Sequence, residues 1–108
     1  MTVENNDTEL YGLSTEDLEK LVTILGTNKG VEAAFLFGSR AKGTHSNGSD
    51  IDIALRGETL TLNDILSLKG QIEEFNLPYK IDLILIHRIE NNDLIAHINR
   101  VGKVLFSR

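Results

Sequence analysis

The hexapeptide Asp50-Ile51-Asp52-Ile53-Ala54-Leu55 constrains the fold more than any other stretch of the chain. Polar and apolar residues alternate, and a strand repeats every two residues. Asp50 and Asp52 therefore share one face while Ile51 and Ile53 point to the other. Acidic residues are depleted in strands, and a carboxylate inside an apolar run must be paired, hydrated or bound to a cation. Asp82, within Lys80-Ile81-Asp82-Leu83-Ile84-Leu85-Ile86, breaks the same rule in another predicted strand, on the face opposite Ile81 and Leu83. Carboxylates at i and i+2 on a strand stand about 6.5–7 Å apart at the backbone, and their side chains can lean together on one divalent ion. Three acids brought close would repel unless a metal neutralised them. Hard oxygen donors with no His or Cys beside them suit magnesium or manganese better than zinc.

Around these strands the periodicity predicts an α/β (α+β) fold, a small mixed sheet of three to four strands flanked by about four helices. Ser14 and Asp17 read as a capping box before Leu18, Leu21, Val22 and Leu25, a first amphipathic helix ending near Gly26 or Gly30. Residues 31–37 form a short apolar strand closed by Gly38. Residues 38–49 hold three Gly and three Ser beside Arg40 and Lys42, a loop with room for one helical turn at 39–42. Thr61 and Asp64 cap a long helix marked by Leu62, Ile65, Leu66, Ile72 and Phe75, which Asn76, Leu77 and Pro78 stop. Residues 80–86 are the third strand. Leu94, Ile95, Ile98 and Val101 mark a last helix, and residues 104–106 a short edge strand.

At 108 residues the chain allows a single domain, 1–108, with a loose polar segment over about 1–12. So small a domain holds a shallow site, or one completed by another chain. Sixteen Asp and Glu against eleven Lys and Arg give a net charge of -5, which disfavours nucleic acid and anionic membranes as partners. Cysteine is absent, which excludes disulfides, thiolate nucleophiles and cysteine-based zinc sites. Glu4, Asp7 and Glu9 make residues 1–10 unlike a secretory signal, and the default compartment is the cytoplasm.

Gly38-Ser39 follows the first strand and opens the predicted turn of helix. Free N–H groups and the positive end of the helix dipole make such a turn a phosphate cradle: Gly lets the backbone approach closely, and the Ser hydroxyl adds a donor. For the cradle to meet the acids, the first and second strands must run antiparallel. Asp82 reaches the same sheet edge if the third strand runs with the second.

Gly38-Ser39, ten residues, then Asp50-Ile51-Asp52 reproduces a G-S-x10-D-x-D signature, and residues 35–55 resemble the DNA polymerase beta-type nucleotidyltransferase superfamily. The short length and the segment Leu77-Pro78-Tyr79-Lys80-Ile81-Asp82-Leu83-Ile84-Leu85-Ile86 are similar to its minimal nucleotidyltransferases, over residues 14–106. The resemblance implies that Gly38 and Ser39 hold a nucleoside triphosphate, that Asp50 and Asp52 bind magnesium, and that Asp82 completes the metal site. It also implies a helical HEPN-type protein partner, in a two-component transferase or toxin–antitoxin module, to whose hydroxyl AMP is transferred from ATP. A homo- or hetero-oligomer is the expected assembly. Arg40 or Lys42 is expected to touch the triphosphate.

The competing reading is a non-catalytic antitoxin or accessory subunit that retains the transferase fold. The three acids favour the enzyme, since a binding module has no reason to cluster them. His45, His87 and His97 are expected to be plain surface residues. Phe35 and Phe37 are expected to pack in the core or on the sheet face.

Overall fold

The computed structural model describes residues 9–46 and 48–108. Its elements are β1 (Glu9–Leu10), β2 (Leu13–Ser14), α1 (Thr15–Gly26), β3 (Ala33–Phe37), α2 (Gly38–Lys42), β4 (Ile51–Arg56), α3 (Leu62–Glu73), β5 (Ile81–Leu85), α4 (Asn92–Val101) and β6 (Lys103–Ser107), with a 3-10 turn at Ile86–Arg88. The main sheet has the order β5-β4-β3-β6, and only the β4–β5 pair is parallel. This is the small mixed sheet of the expected α+β fold. No helix among the described residues is long and apolar enough to cross a membrane.

Strand parity divides the sheet into two faces. Ala34 and Leu36 of β3, Ile51, Ile53 and Leu55 of β4, and Ile81, Leu83 and Leu85 of β5 join Leu21, Ile24 and Leu25 of α1 and Ile65, Leu68 and Ile72 of α3 in the larger core. Leu21, Leu25, Leu36, Ile51, Ile53 and Leu55 are wholly buried there. Each such side chain contributes about 1.5–3 kcal/mol by leaving water. The other face carries a smaller cluster of Phe37, Ala54 and Ile98, with Ile84 and Leu94 packed beside it. α4 covers this second face only in part.

Local signals set the helix boundaries. Ser14 accepts from the Asp17 N–H at 3.1 Å and caps α1, as the sequence predicts. At α3 the full capping box forms: Thr61 Oγ1 accepts from the Asp64 N–H at 3.3 Å, and Asp64 Oδ2 accepts from the Thr61 N–H at 2.8 Å. The buried stripe of α3 differs from the expected one. Leu62 and Leu66 are 57% and 67% exposed and Phe75 is 44% exposed, while Leu68 is buried. The helix rests on the sheet through positions 65, 68 and 72, and the 62–66 pair lies one step round the cylinder.

Of the segment expected to be loose, residues 1–8 lie outside the described residues. Residues 9–14 instead form a hairpin, with Glu9 opposite Ser14 and Leu10 opposite Leu13. Its two linking residues, Tyr11 and Gly12, sit at φ +60° and +78°. Positive φ at both central positions is what a type I′ hairpin turn requires. Leu13 anchors the hairpin in the larger core.

Thr61→Ala is expected to cost about 1 kcal/mol, read from urea denaturation. The Asp64 carboxyl is held below its ordinary range chiefly by the Thr61 backbone N–H, with help from the Thr61 hydroxyl and the Asn28 amide. A depressed folded pKa adds stability above the unfolded value near 3.8 and loses it as the pH falls through the folded value. Asp64→Asn should therefore melt below wild type at pH 6, and the two melting curves should converge on acidification.

Candidate active site

Phe37, the last residue of β3, stands directly opposite Asp52 on β4, and Asp52 is level with Asp82 on β5. Adjacent strands lie about 4.8 Å apart, so these residues form a row across three strands. The row lies on the face of Ala54 and Ile84, the face α4 covers only in part. Asp50 immediately precedes β4. The antiparallel and parallel pairings that the site requires are both present.

Asp52 records the electrostatics of the row. Burial pushes its carboxyl above the ordinary value, the negative charges of Asp82 and Asp50 push it further, and His97 pulls it back. Among the described residues no three of the Asp, Glu and His side chains close on a single point as a ready cage. Asp50, Asp52 and Asp82 are thus near enough to repel but are not drawn together. That donor set fits magnesium, which prefers one or two carboxylates and fills its remaining positions with water and substrate phosphates.

Gly38 turns the chain off the sheet against Asp52. Its φ is +77°, and a Cβ there would collide with Asp52 Oδ2. Only glycine meets both demands. Ser39 follows in α2, a helix of five residues. The Gly38 N–H donates to His97 Nε2 at 3.1 Å, and the His97 ring meets Phe37 edge to face with centroids 6.2 Å apart. His97, expected to be a plain surface residue, therefore reaches into the site. Its signal was its position on α4, next to buried Ile98 and three residues beyond Leu94.

Arg40 departs from its expected role at the triphosphate. It is 2% exposed, its Nε and Nη2 donate to the Ser49 carbonyl at 3.2 and 2.9 Å, and its Nη1 donates to the Tyr11 carbonyl at 2.8 Å. Its guanidinium also lies 5.1 Å from the Tyr79 ring centroid. The charge ties the hairpin, the loop after α2 and the segment before β5 together, with its fork already filled by carbonyls. Lys42, at the far end of α2, is exposed. Asp50, Asp52, Asp82, Gly38 and Ser39 lie at one end of the sheet, and Arg40 braces that end from beneath.

Two concavities lie away from the acids. One of about 420 Å³ lies between the end of α3 and the start of β5, lined by Ile72, Asn76, Tyr79 and Lys80 among others. Another of about 370 Å³ runs between α3, β5 and α4. Neither includes the acids.

Residues 19–108 match the profile of a family described as "Polymerase beta, Nucleotidyltransferase". No curated protein matches the chain. Among solved structures, a chain of a toxin–antitoxin complex with AMP-PNP is 27% identical with a TM-score of 0.70, covering 84% of this chain and 73% of that one. A chain of the MntA–HepT toxin–antitoxin is 23% identical with a TM-score of 0.65, over 88% and 74%. A chain from the complex of tri-AMPylated Shewanella oneidensis HEPN toxin with MNT antitoxin is 22% identical with a TM-score of 0.65, over 86% and 71%.

Arg40→Ala strips the partner from two carbonyls, and a loss of about 2–3 kcal/mol is expected by urea denaturation. Lys42→Ala should stay within about 0.5 kcal/mol of wild type. For Asp52 the folded pKa lies above the unfolded one, so its stability contribution is present below the unfolded pKa and lost as the pH rises through the folded one. Asp52→Asn should raise the Tm of the metal-free protein at pH 7, by no more than about 4–8 °C for a chain of this size. The gain should vanish as the pH falls through the carboxylate range.

Proposed function

Because the chain belongs to the polymerase beta nucleotidyltransferase family, we propose that it transfers AMP from ATP to a hydroxyl of a helical HEPN-type partner protein. The observation that carries this reading is the row of Phe37, Asp52 and Asp82, which sets the Gly38-Ser39 turn against the acids. The partner is supported by neighbours of the same fold solved in toxin–antitoxin complexes, one with AMP-PNP and one with an AMPylated HEPN toxin.

In this reading Gly38 and Ser39 receive the triphosphate, the first by close backbone approach and the second through its hydroxyl. Lys42, exposed at the end of α2, is placed to offer the positive charge that Arg40 does not. Asp50 and Asp52 would hold magnesium, with Asp82 as the third oxygen donor. Bound there, magnesium would supply the positive charge that offsets the negative charge of the triphosphate and eases loss of the acceptor's proton. The acceptor oxygen forms a bond to the α-phosphorus as the bond from that phosphorus to the bridging oxygen breaks. Pyrophosphate leaves, and the hydroxyl proton passes to the Asp82 carboxylate. Burial raises the cost of charge on Asp52 and strengthens its hold on a cation.

The test is incubation of the chain with its HEPN-type partner, magnesium and ATP labelled at the α- or the γ-phosphate. Label should reach the partner from the α position only, and Asp52→Asn should lower the rate at least about a hundredfold. Transfer from the γ position would overturn the reaction class. A complex that forms with no transfer of either label would establish the non-catalytic antitoxin instead.

A further inference from the structure

α4 delivers a side chain to the acid end of the sheet that the reaction scheme leaves without a task. β3 ends at Phe37, so the Gly38 N–H no longer has a ladder partner, and no side chain of Phe37 caps the turn. The Gly38 φ of +77° leaves this peptide the freedom glycine has to rotate. If it rotated, the Gly38-Ser39 turn would lose its setting against Asp52. His97 Nε2 holds the N–H at 3.1 Å. The ring is braced in turn, since its edge-to-face contact with Phe37 has an interplanar angle of 81° and the adjacent Ile98 is buried in the cluster with Phe37 and Ala54.

We propose that His97 is a positioning residue of the nucleotide site, fixing the Phe37–Gly38 peptide so that the Gly38-Ser39 turn is presented to the triphosphate. This rests on the reading of that turn as a nucleotide site. His97 forms no bond to substrate in this role and acts through the backbone. A Gln side chain offers a neutral acceptor of similar reach, whereas Phe keeps the aromatic contact with Phe37 and has no acceptor.

Three substitutions in the full chain test it: His97→Gln, His97→Phe and His97→Ala, the last adding no bulk. The readouts are the Gly38 amide in proton–nitrogen NMR, the Kd for AMP-PNP with magnesium, and the Tm. His97→Phe and His97→Ala should lose the hydrogen-bonded shift and exchange protection of the Gly38 amide and weaken AMP-PNP binding about tenfold. His97→Gln should recover the amide signature and bind within about threefold of wild type. The proposal is overturned if His97→Ala binds AMP-PNP as tightly as wild type, or if His97→Gln binds no better than His97→Ala. Wild type that binds AMP-PNP while the variants show no loss leaves the nucleotide site standing and removes only His97. Wild type that binds no AMP-PNP removes the nucleotide reading and this proposal together.

Discussion

The two-residue repeat of β4 is the constraint on which the rest of the molecule depends. β4 is an inner strand, hydrogen-bonded to β3 on one side and β5 on the other, so its register is fixed twice. Ile51, Ile53 and Leu55 fill the larger core, and Asp52 and Ala54 are thereby turned to the opposite face. A slip of one residue would bury the carboxylate among leucines and expose three large apolar side chains. The force that orients the acid is therefore the hydrophobic effect acting on its neighbours. The acid itself opposes the arrangement, since its ionised form is disfavoured by burial and by Asp82 and Asp50. This is the usual relation between a site and its scaffold, in which apolar packing holds charged groups where they would not settle alone.

Arg40 and Lys42 show how two cations on one short helix acquire different tasks. They lie two residues apart, which on a helix points them to different sides. Arg40 faces inward, where three carbonyl contacts use the fixed fork of its guanidinium. A lysine there would offer a point charge without that geometry. Lys42 faces solvent. A second arginine, Arg108, works in the same manner at the other end of the sheet, donating to the carbonyls of Val31, Gly26 and Asn28. Both arginines satisfy backbone that leaves regular structure, a task for which many donors in a rigid plane are well suited.

Much of this was legible in the chain. Strand alternation at 50–55 and 80–86 gave the faces, the Ser14 and Thr61 caps gave two helix starts, and the Gly-Ser to Asp-Ile-Asp spacing pointed to the members of the candidate site. What remained hidden depended on long-range contacts. Arg40 reads as an exposed cation until Tyr11 and Ser49 surround it, and the Tyr11 bond spans 29 residues. His97 lies 59 residues from Gly38, and no local pattern connects them. The 9–14 hairpin was missed because Tyr is an unusual residue at positive φ, so the turn lacks the Asn-Gly or Asp-Gly signature. The stripe of α3 was misplaced because periodicity gives an apolar arc without saying which edge of that arc meets the sheet.

The Arg40 to Tyr11 bond joins the small hairpin to the segment that carries Ser49 into β4. Loosening of one segment therefore weakens an anchor of the other. To the extent that this anchor couples them, a ligand that fixes the Ser49 side would also favour the docked hairpin, by linkage, even if it never touches residues 9–14. Reciprocally, a protein that gripped the hairpin would alter affinity at the acids from a distance. The N-terminal hairpin is thus a thermodynamic handle on the site, set within the fold by one buried guanidinium.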